Sequence, residues 1–413
     1  MSDKKLKLGI FGFGCVGQGL YHTLNETSGI KAEIIKICVK DRAKFRPFPD
    51  ESYFTFDLDE ILNNDEINVV VELIDDSDVA YSIVKKALQK GKAVVTANKK
   101  LIAEHLEELI LLSKEYNSPL LYEASCCASI PVIRNLEEYY DNDLLSSIGG
   151  IFNGSSNYIL TKILEEQLDY STALLGAQEK GFAETDPSFD VKGWDARYKL
   201  SIIITHAYGL FIESANILCF GIDQISEGDI QYANEKNLSI KLKACSQKIG
   251  DKIVAYVAPF YVKKENPLST VNYEFNAVEI EGAFSERQLF IGKGAGSYPT
   301  GSAVLSDISA LSYDYKYEYK KLTQKLKIEH SEDYCVRVYV GFKNESDVGF
   351  SDFEEISETY LGAERNFIVG TIMLQKLKES HWQNNKCISV IFIDGVGEFV
   401  KSNAQDILLE SVG

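Results

Sequence analysis

The sequence predicts an α/β protein whose first part is a parallel sheet covered by helices. Over the first 130 residues, short β-rich runs alternate with stretches in which apolar residues recur every three or four positions. Strand and helix in alternation favour a parallel sheet with right-handed crossovers. The chain has 413 residues, of which 45% are hydrophobic and 25% charged, so it is long enough for two or three domains.

The elements of the first part follow in order along the chain. The β-rich runs are residues 7–11, 33–39, 69–74, 93–96 and 120–123, and the clearest helical spacing lies at 79–90 and 101–116. From Pro131 the pattern changes to a helix at 132–140, a strand around 148–152 and several helices as far as Leu210. A strand-rich stretch at 250–292 and an apolar helix at 303–311 come next.

The last 80 or so residues form a further predicted unit. Residues 313–317 are rich in Tyr and Lys and are interpreted as a linker. The predicted elements beyond it are a strand at 334–342, a helix around 353–361, a strand at 366–373, a helix at 374–380 and a strand at 387–393. This β-α-β-α-β order predicts a small ferredoxin-like α+β domain.

Charge and cysteine usage exclude several classes of protein. The 43 basic and 61 acidic residues give a net charge of −18, which disfavours binding to nucleic acid or to an anionic membrane surface. No apolar run approaches the ~18 residues that span a bilayer, and the eight cysteines include no CxxC pair. The first residues show no signal-peptide pattern and the cysteines no disulfide framework, which together predict a cytoplasmic protein.

A glycine-rich turn between the first strand and the next helix predicts a dinucleotide site. The turn contains Gly12, Gly14 and Gly17, with Cys15 and Val16 between the last two. The first glycine permits the tight turn, the second lets the backbone approach a pyrophosphate, and the third lets the helix pack closely on the strand. This context predicts a Rossmann-type domain, whereas the alternative is a glycine-rich turn that binds no nucleotide.

The end of the second strand bears on which nicotinamide cofactor is bound. An acidic residue there contacts a ribose 2′-hydroxyl, whereas a basic residue contacts a 2′-phosphate. The sequence has Lys40 and Arg42 on either side of Asp41, which favours NADP over NAD, although exposed charges at a strand end are often only solvated. The acidic run Asp75–Asp78 after the third strand would repel a pyrophosphate unless it points to solvent.

Two charged residues on one predicted helix are candidates for acid–base chemistry. Asp195 and Lys199 are spaced i, i+4, so both project from one face, and Glu184 lies on the loop before that helix, after Gly181. A fixed carboxylate can bind a substrate ammonium, and a lysine can donate a proton to a carbonyl oxygen if burial or a second cation lowers its pKa. The alternative interpretation is an ordinary surface ion pair.

Several ordered segments make the chain resemble homoserine dehydrogenases. They are VTANKKLIA (95–103), YEAS (122–125), IPVI (130–133), GIFNGSSNYIL (150–160), AQEKGFAETDP (177–187), DVKGWDARYKL (190–200) and GAGSYPT (294–300). The resemblance covers roughly residues 7–312. It implies an NAD(P)-dependent enzyme that interconverts L-aspartate 4-semialdehyde and L-homoserine in the biosynthesis of threonine, methionine and isoleucine.

The resemblance also implies a role for particular residues. Lys199 and Lys99 would be the catalytic pair, with Lys199 as the acid/base. The substrate would be held by Asp195 and Glu184, with backbone contacts from Gly181. The cofactor would contact the glycine-rich turn (Gly12, Gly14, Cys15, Val16 and Gly17), Lys40, Arg42, Thr96, Lys99 and Gly296.

A monovalent cation, usually sodium, is a further feature that the resemblance implies. Its ligands would come from Glu123, Cys126, Ala128 and Ile130, largely through backbone carbonyls. The family normally has a glycine-rich run here, whereas this chain has Ser125-Cys126-Cys127-Ala128-Ser129. Carbonyl ligands tolerate such changes unless a glycine was needed to reach positive φ.

The resemblance and the pattern together predict three parts. Residues 1–134, completed by 293–315, are the predicted dinucleotide-binding domain, 135–292 the α/β catalytic and dimerisation domain, and 325–413 an ACT-like regulatory domain. The usual Asp-x-Pro-Gly turn of that domain is absent, since residues 343–349 are KNESDVG, so a purely structural role stays open. A homodimer or homotetramer acting on a small molecule is expected, and the alternative is an amino-acid-binding regulator with weak activity.

Overall fold

The computed structural model describes most of the chain and confirms the parallel sheet. It describes residues 5–42, 44, 46, 48, 50–141, 144–324, 327–362, 365–380, 382–394 and 398–399, so the predicted boundary at 325 and the last residues of the chain lie outside it. Within the described residues, every helix is too short or too polar to cross a lipid bilayer.

A six-stranded parallel sheet forms the first part of the molecule. Its strands are β1 (Leu6–Phe11), β2 (Ala32–Cys38), β3 (Phe54–Thr55), β4 (Val69–Glu72), β5 (Ala93–Thr96) and β6 (Leu120–Leu121), in the order β3-β2-β1-β4-β5-β6. The helices are α1 (Cys15–Glu26), α2 (Asp59–Leu62), α3 (Ser77–Gln89) and α4 (Lys99–Glu115). All these strands are parallel, and their order along the sheet changes direction between β1 and β4, as in the predicted Rossmann-type arrangement.

A helix from much later in the chain completes this part. Helix α11 (Ser297–Ala310) begins six residues before the predicted start and packs on α1. The two helices meet at glycines, because a Cβ on Gly19 would lie 1.9 Å from the carbonyl oxygen of Ser297, and one on Gly301 would lie 2.5 Å from the carbonyl carbon of Gly19. Only glycine permits so close an approach of the two backbones.

A second, mainly antiparallel sheet follows. Its first strands are β7 (Leu145–Ile151), β8 (Leu218–Cys219), β9 (Leu238–Ile249), β10 (Lys252–Lys263), β11 (Phe275–Gly282) and β12 (Glu286–Lys293). The helices in this stretch are α5 (Val132–Glu138), α6 (Gly154–Glu165), α7 (Tyr170–Glu179), α8 (Ser188–Val191), α9 (Trp194–Tyr208) and α10 (Glu227–Glu235). Sequence reasoning missed β9, whose alternating Lys and apolar residues pair along the whole length of β10.

The C-terminal strands continue this second sheet. After α12 (Lys320–Thr323) come β13 (Glu329–His330), β14 (Tyr334–Phe342), β15 (Glu355–Leu361), β16 (Asn366–Met373), α13 (Leu374–Glu379), β17 (Ile388–Ile393) and β18 (Glu398–Phe399). The sheet order is β12-β11-β7-β9-β10-β17-β14-β16-β15, with β8 and β13 also on β10 and β18 on β14. Phe260 and Tyr261 of β10 pair with Phe392 and Ile393 of β17, so the sheet runs without a break from one part to the next.

The predicted helix around 353–361 is wrong, because this segment is strand β15. Its side chains are mostly exposed and it pairs antiparallel with β16 at the edge of the sheet. The neighbour order β17-β14-β16-β15 is that of a ferredoxin-like sheet, but the crossover from β14 to β15 contains only two 3₁₀ turns, at Glu345–Asp347 and Phe350–Asp352. The segment's apolar residues are too few to cover a sheet as a helix.

Helices cover both faces of the C-terminal strands. Helix α13 packs on one face through Leu374 and Leu377. Helix α10, which precedes these strands by more than a hundred residues, covers the other face, where the Tyr232 ring lies 4.7 Å from that of Tyr339 and 5.1 Å from that of Phe367. The ion pair between Glu235 and Arg365, at 2.7 Å, lies at the end of the same contact.

The segment predicted to be a linker is partly exposed, but alternate tyrosines at its end attach it to the core. Tyr317 and Tyr319 are 5% and 6% exposed. The Tyr319 hydroxyl lies 3.1 Å from that of Tyr122, which in turn lies 2.7 Å from Nε2 of His206. Glu137 contacts Nδ1 of the same imidazole at 2.6 Å and accepts a hydrogen bond from the Tyr319 amide. Tyrosines spaced i, i+2 place their rings on one side of an extended chain, a pattern that composition alone does not separate from a linker.

Candidate active site

The buried carboxylate of Asp195 is the centre of the candidate site. It lies in the first turn of α9 and is 2% exposed. Its two oxygens contact two different lysines: Nζ of Lys99 lies 2.8 Å from Oδ1, and Nζ of Lys199 lies 2.8 Å from Oδ2. The interpretation of Asp195 and Lys199 as a surface ion pair is therefore wrong, because Lys199 is itself only 6% exposed.

Two elements from different parts of the fold present the lysines. Lys99 is the first residue of α4, directly after the Asn98 cap, whose side chain accepts a hydrogen bond from the amide of Leu101. Lys199 lies one turn into α9, and its ammonium also donates to the carbonyl oxygen of Phe152 at 2.8 Å. The site thus lies where the carboxyl end of the parallel sheet meets the second sheet, which is the usual place for ligands in open α/β folds.

Two further polar side chains, to which the sequence analysis assigned no role, complete the cluster. Asn153 caps α6 and donates through Nδ2 to Asp195 at 2.8 Å and to Asp190 at 2.7 Å. Both residues lie within segments that carried the resemblance, but nothing in their spacing predicted that they would meet Asp195. The cluster therefore contains two carboxylates, one amide and two ammonium groups, of which Asp195 and Lys199 are buried whereas the Lys99 side chain is 34% exposed.

The pKa directions in this cluster follow from burial and charge. Burial alone would raise the pKa of Asp195, but the ammonium groups of Lys199 and Lys99 hold it well below its ordinary value. Burial raises the pKa of Asp190 to about 6, and the nearby Asp195 carboxylate adds to that rise. Burial would lower the pKa of Lys199, yet Asp195 outweighs it and raises that pKa above its ordinary value. The condition named from the sequence, a lysine pKa lowered by burial or a second cation, is therefore not met while Asp195 contacts the ammonium.

Glu184 and Gly181 lie apart from this buried cluster. Both are exposed on the stretch between α7 and α8, and Gly181 has a φ of 72°. No hydrogen bond or ion pair joins the Glu184 carboxylate to another side chain in the part of the chain that the structure describes, although its backbone carbonyl accepts from Gln178 at 2.9 Å. Their assignment to substrate binding stays a prediction.

The glycine-rich turn has the geometry that a pyrophosphate requires. Gly12 has a φ of 96°, and a Cβ there would lie 2.5 Å from the carbonyl oxygen of Leu73. A Cβ on Gly17 would lie 2.7 Å from the carbonyl oxygen of Gly12, whereas one on Gly14 would meet nothing within 4 Å. Gly12 and Gly17 are thus required by the fold, while Gly14 leaves open space at the amino end of α1, beside the exposed Cys15 and the half-buried Val16. These residues fit a dinucleotide.

The return segment 293–297 reaches the same turn, and the contact of Gly296 with the cofactor stays a prediction. Gly296 caps α11 with a φ of 116°, and the next residue, Ser297, donates its hydroxyl to the carbonyl oxygen of Cys15 at 2.7 Å. Thr96 lies at the end of β5, where its hydroxyl donates at 2.5 Å to the buried carboxylate of Glu72. Burial raises the pKa of Glu72 to about 7.

The acidic run after β4 lies at the protein surface. Asp76 caps α3, accepting from the amides of Asp78 and Val79 at 3.1 Å, and Asp75 and Asp78 are exposed. Lys40 and Arg42 are exposed beyond the end of β2, and the Arg42 guanidinium lies 4.6 Å above the ring of Phe56.

The turn that replaces the family's glycine-rich run keeps a backbone typical of glycine. Cys127 and Ala128 have φ values of 54° and 37°. The carbonyl oxygens of Cys126 and Ala128 accept no hydrogen bond from any residue that the structure describes, so both are available to a ligand. The Glu123 carboxylate instead accepts from the amides of Ile133 and Arg134, at 2.9 and 2.7 Å, and burial raises its pKa to about 8.

Positive φ at Ala128 predicts a gain in stability on substitution by glycine. The left-handed conformation costs an L-residue about 1–2 kcal/mol, part of which is offset by the entropy that glycine loses on folding. Ala128→Gly is therefore expected to raise the free energy of unfolding by about 0.5–1 kcal/mol in denaturant titrations. Ala103→Gly, in the interior of α4, is the control and is expected to lower it by about 1 kcal/mol. A loss of stability in Ala128→Gly would contradict the strained turn.

Comparisons with known proteins agree with this architecture. The family model described as homoserine dehydrogenase matches residues 131–309, and the one described as homoserine dehydrogenase, NAD binding domain, matches residues 12–123. The fold and the site thus define a nicotinamide-dependent oxidoreductase acting on a CH–OH group.

Individual relatives narrow this class to one family. A homoserine dehydrogenase of Helicobacter pylori is 39% identical over 74% of this chain and 73% of its own. A homoserine dehydrogenase structure from Thiobacillus denitrificans has a TM-score of 0.84 over 95% of this chain and 98% of its own, at 24% identity, and supports the fold. A hyperthermophilic archaeal homoserine dehydrogenase in complex with NADPH is 28% identical, with a TM-score of 0.66 over 76% of this chain and 99% of its own. The chain belongs to the homoserine dehydrogenase family.

Proposed function

We propose that the protein interconverts L-aspartate 4-semialdehyde and L-homoserine with a nicotinamide cofactor. The observation that carries the proposal is the buried Asp195 carboxylate held between Lys99 and Lys199 at the carboxyl end of the parallel sheet. The direct test is an assay of homoserine oxidation and of semialdehyde reduction, followed by nicotinamide absorbance. A purified, folded protein that turns over neither substrate would contradict the proposal.

The residues divide the work of such a reaction. The bound nicotinamide supplies or accepts the hydride. Lys199 holds the proton that the carbonyl oxygen needs as it becomes a hydroxyl, and Lys99 stabilises the negative charge that develops on that oxygen. Asp195 fixes both ammonium groups and, together with Glu184, would hold the substrate amine, with backbone contacts from Gly181. Gly12, Gly14 and Gly17 give the pyrophosphate its backbone contacts, and Gly296 closes the site from the other side.

The alternative of a non-catalytic amino-acid-binding regulator is not favoured. A buried carboxylate that pairs with two ammonium groups carries a desolvation cost, which a regulator would have no need to retain. The family models match both the nucleotide-binding part and the catalytic part of the chain, which also favours an enzyme.

The pKa direction of Lys199 predicts an alkaline rise in homoserine oxidation. Oxidation needs the neutral amine as a base, and Asp195 favours the ammonium. We expect kcat/KM for homoserine to rise about tenfold per pH unit from neutral into the alkaline range, since the active fraction is then the small deprotonated one. Semialdehyde reduction, which uses the ammonium, is expected to stay flat over the same range.

Asp195→Asn tests the cause of that rise. Removing the carboxylate removes the charge that raises the pKa of Lys199, so the residual oxidation of this variant should rise at lower pH than in the parent. An unchanged position of the rise would assign the proton to another group.

We propose NADP as the preferred cofactor, supported by the exposed cations beyond β2. If Lys40 and Arg42 contact a 2′-phosphate, replacing both by Ser should weaken NADPH binding by about 1.5–3 kcal/mol and leave NADH binding unchanged. Fluorescence titration with both cofactors measures the difference. Lys44→Ser and Lys31→Ser, at other exposed positions, are the charge-matched control. Equal losses for NADPH and NADH would show that the two cations do not discriminate.

We further propose that the turn at residues 123–130 holds a monovalent cation such as sodium. The available carbonyl oxygens of Cys126 and Ala128 support it, because hard cations prefer oxygen ligands. Glu123 and Ile130 would contribute through their carbonyls, while the Glu123 carboxylate remains occupied with α5.

Other properties of the chain follow as proposals from the family. The C-terminal strands would form an ACT-like unit, supported by their ferredoxin-like strand order. A homodimer or homotetramer is supported by exposed apolar side chains on and near the edge strand β12, among them Phe284 at 83% and Ile291 at 54% exposure. We propose a cytoplasmic enzyme of threonine, methionine and isoleucine biosynthesis.

A further inference from the structure

The carbonyl oxygen of Phe152 accepts hydrogen bonds from two buried side chains. It accepts from Nζ of Lys199 at 2.8 Å and from Nδ2 of Asn276 at 2.8 Å. Asn276 lies on β11 and is fully buried. A carbonyl oxygen has two lone pairs, so this geometry satisfies both of them and fixes the direction in which the carbonyl can accept from the lysine.

The same asparagine fills the space beside a glycine of the return segment. A Cβ added to Gly294 would lie 2.0 Å from Cγ and Nδ2 of Asn276 and 2.3 Å from its Oδ1. The residue before Gly294, Lys293, accepts through its carbonyl from the amide and the hydroxyl of Ser129, at 3.1 and 2.9 Å. The segment that continues to Gly296 and the glycine-rich turn is therefore packed directly against the side chain that holds the Phe152 carbonyl.

We infer that Asn276 is a positioning residue, which orients Lys199 through the Phe152 carbonyl and connects that lysine to the return segment over the cofactor site. It does not touch the reacting atoms. Of the three N–H groups of the Lys199 ammonium, one donates to Asp195 and one to Phe152, which leaves the third for the substrate oxygen. Because two of its N–H groups are held, the ammonium can donate a further hydrogen bond in only one direction. Proton transfer to the substrate depends on that direction.

The inference rests on the proposed function and names a chemical consequence. A carbonyl that already accepts from an amide is a weaker acceptor for the ammonium, because the two donors compete for the same oxygen. Loss of the Asn276 amide should therefore favour the protonated lysine and move the alkaline rise of oxidation to higher pH. The other ionisable groups that face Lys199 are Asp195 on α9, Lys99 on α4, Asp190 on α8, and Cys126 and Cys127 on the cation turn.

The test is Asn276→Leu, which keeps the side-chain shape and removes the amide. We expect kcat for homoserine oxidation to fall about tenfold or more, with KM for homoserine nearly unchanged and the pH rise moved upward. Asn157→Leu is the matched control, since Asn157 is equally buried and donates to two backbone carbonyls, those of Val271 and Phe275. The control should lose stability in denaturant titrations while its kcat for homoserine oxidation stays close to that of the parent.

A second variant decides the matter if Asn276→Leu does not fold. Gly294→Ala places a methyl group against the Asn276 amide from the return segment, in a loop that tolerates change better than a strand. It should reproduce the upward pH movement and the fall in kcat. An unchanged kcat in either folded variant, or an equal fall in kcat in the control, would overturn the inference whatever the change in stability. Absence of turnover in the unchanged protein would instead overturn the proposed function, so the two failures are distinguishable.

Discussion

Lys199→Ala is expected to lower kcat for both reaction directions by about 10²–10⁴-fold, the range for loss of a positioned acid–base group. The ammonium touches Asp195 and the Phe152 carbonyl and is nearly excluded from water, so bulk solvent cannot take over its proton transfer readily. Affinity for the cofactor should remain nearly unchanged, because the glycine-rich turn lies on other elements. Steady-state kinetics and cofactor titration measure the two effects separately.

The substitution also leaves Asp195 with one ammonium instead of two, which calls for a control. Lys199→Met removes the charge but fills the space, and it should match Lys199→Ala in kcat while losing less stability. Lys100→Ala, at the exposed neighbour of Lys99, should behave as the parent does. Near-normal turnover in both Lys199 variants would remove this lysine from the chemistry and leave Lys99 as the proton donor.

Truncation after Leu322 is expected to abolish cooperative folding. The cut removes β17 from the edge of β10 and uncovers apolar side chains that belong to the preceding part, including Phe220, Phe260 and Tyr232. Burial of each such side chain stabilises a protein by roughly 1.5–3 kcal/mol, so the loss approaches the whole stability of a typical domain, about 5–15 kcal/mol. Solubility and thermal unfolding of the truncated chain are the measurements.

A regulatory domain that is independent of the rest would give a different result. The truncated protein would then remain folded and active while losing any inhibition by threonine or a related amino acid.

A point variant at the junction between β10 and β17 separates the two outcomes without removing any part of the chain. Phe392 is buried against Tyr256 and Phe260, at ring distances of 5.1 and 5.5 Å, so Phe392→Ala should cost about 3–5 kcal/mol. Leu111→Ala, at a residue of α4 that is 62% exposed, is the control and should change stability by less than about 0.5 kcal/mol.

The sequence predicted the elements whose side-chain period is unambiguous. Strands β5, β14 and β16 have the predicted bounds, and the glycine-rich turn has the predicted context. The segment 353–361 was assigned the wrong structure because its few apolar residues fit a helical spacing as well as an alternating one. Edge strands are the elements least constrained by burial, so their period is the weakest signal.

The site was predictable in its charges but not in its hydrogen bonds. The i, i+4 spacing placed Asp195 and Lys199 together, and the resemblance added Lys99. Asn153, Asp190 and Asn276 come from three separate elements that meet only in the folded chain, so no local period could bring them to Asp195 and Phe152. The direction of the pKa of Lys199 could not be predicted either, because the sequence did not show whether burial or the contact with Asp195 would dominate.

The late position of α11 has a consequence for the order in which the molecule can be assembled. Gly19 of α1 finds its partner in Gly301, some 280 residues further along the chain, and β10 finds β17 about 130 residues later. During synthesis from the amino terminus, α1 lacks its partner helix α11 until most of the polypeptide has left the ribosome. Contacts this distant in sequence also slow the search for the native pairing. Newly made chains are therefore exposed to misassociation for longer than their domain sizes alone would indicate.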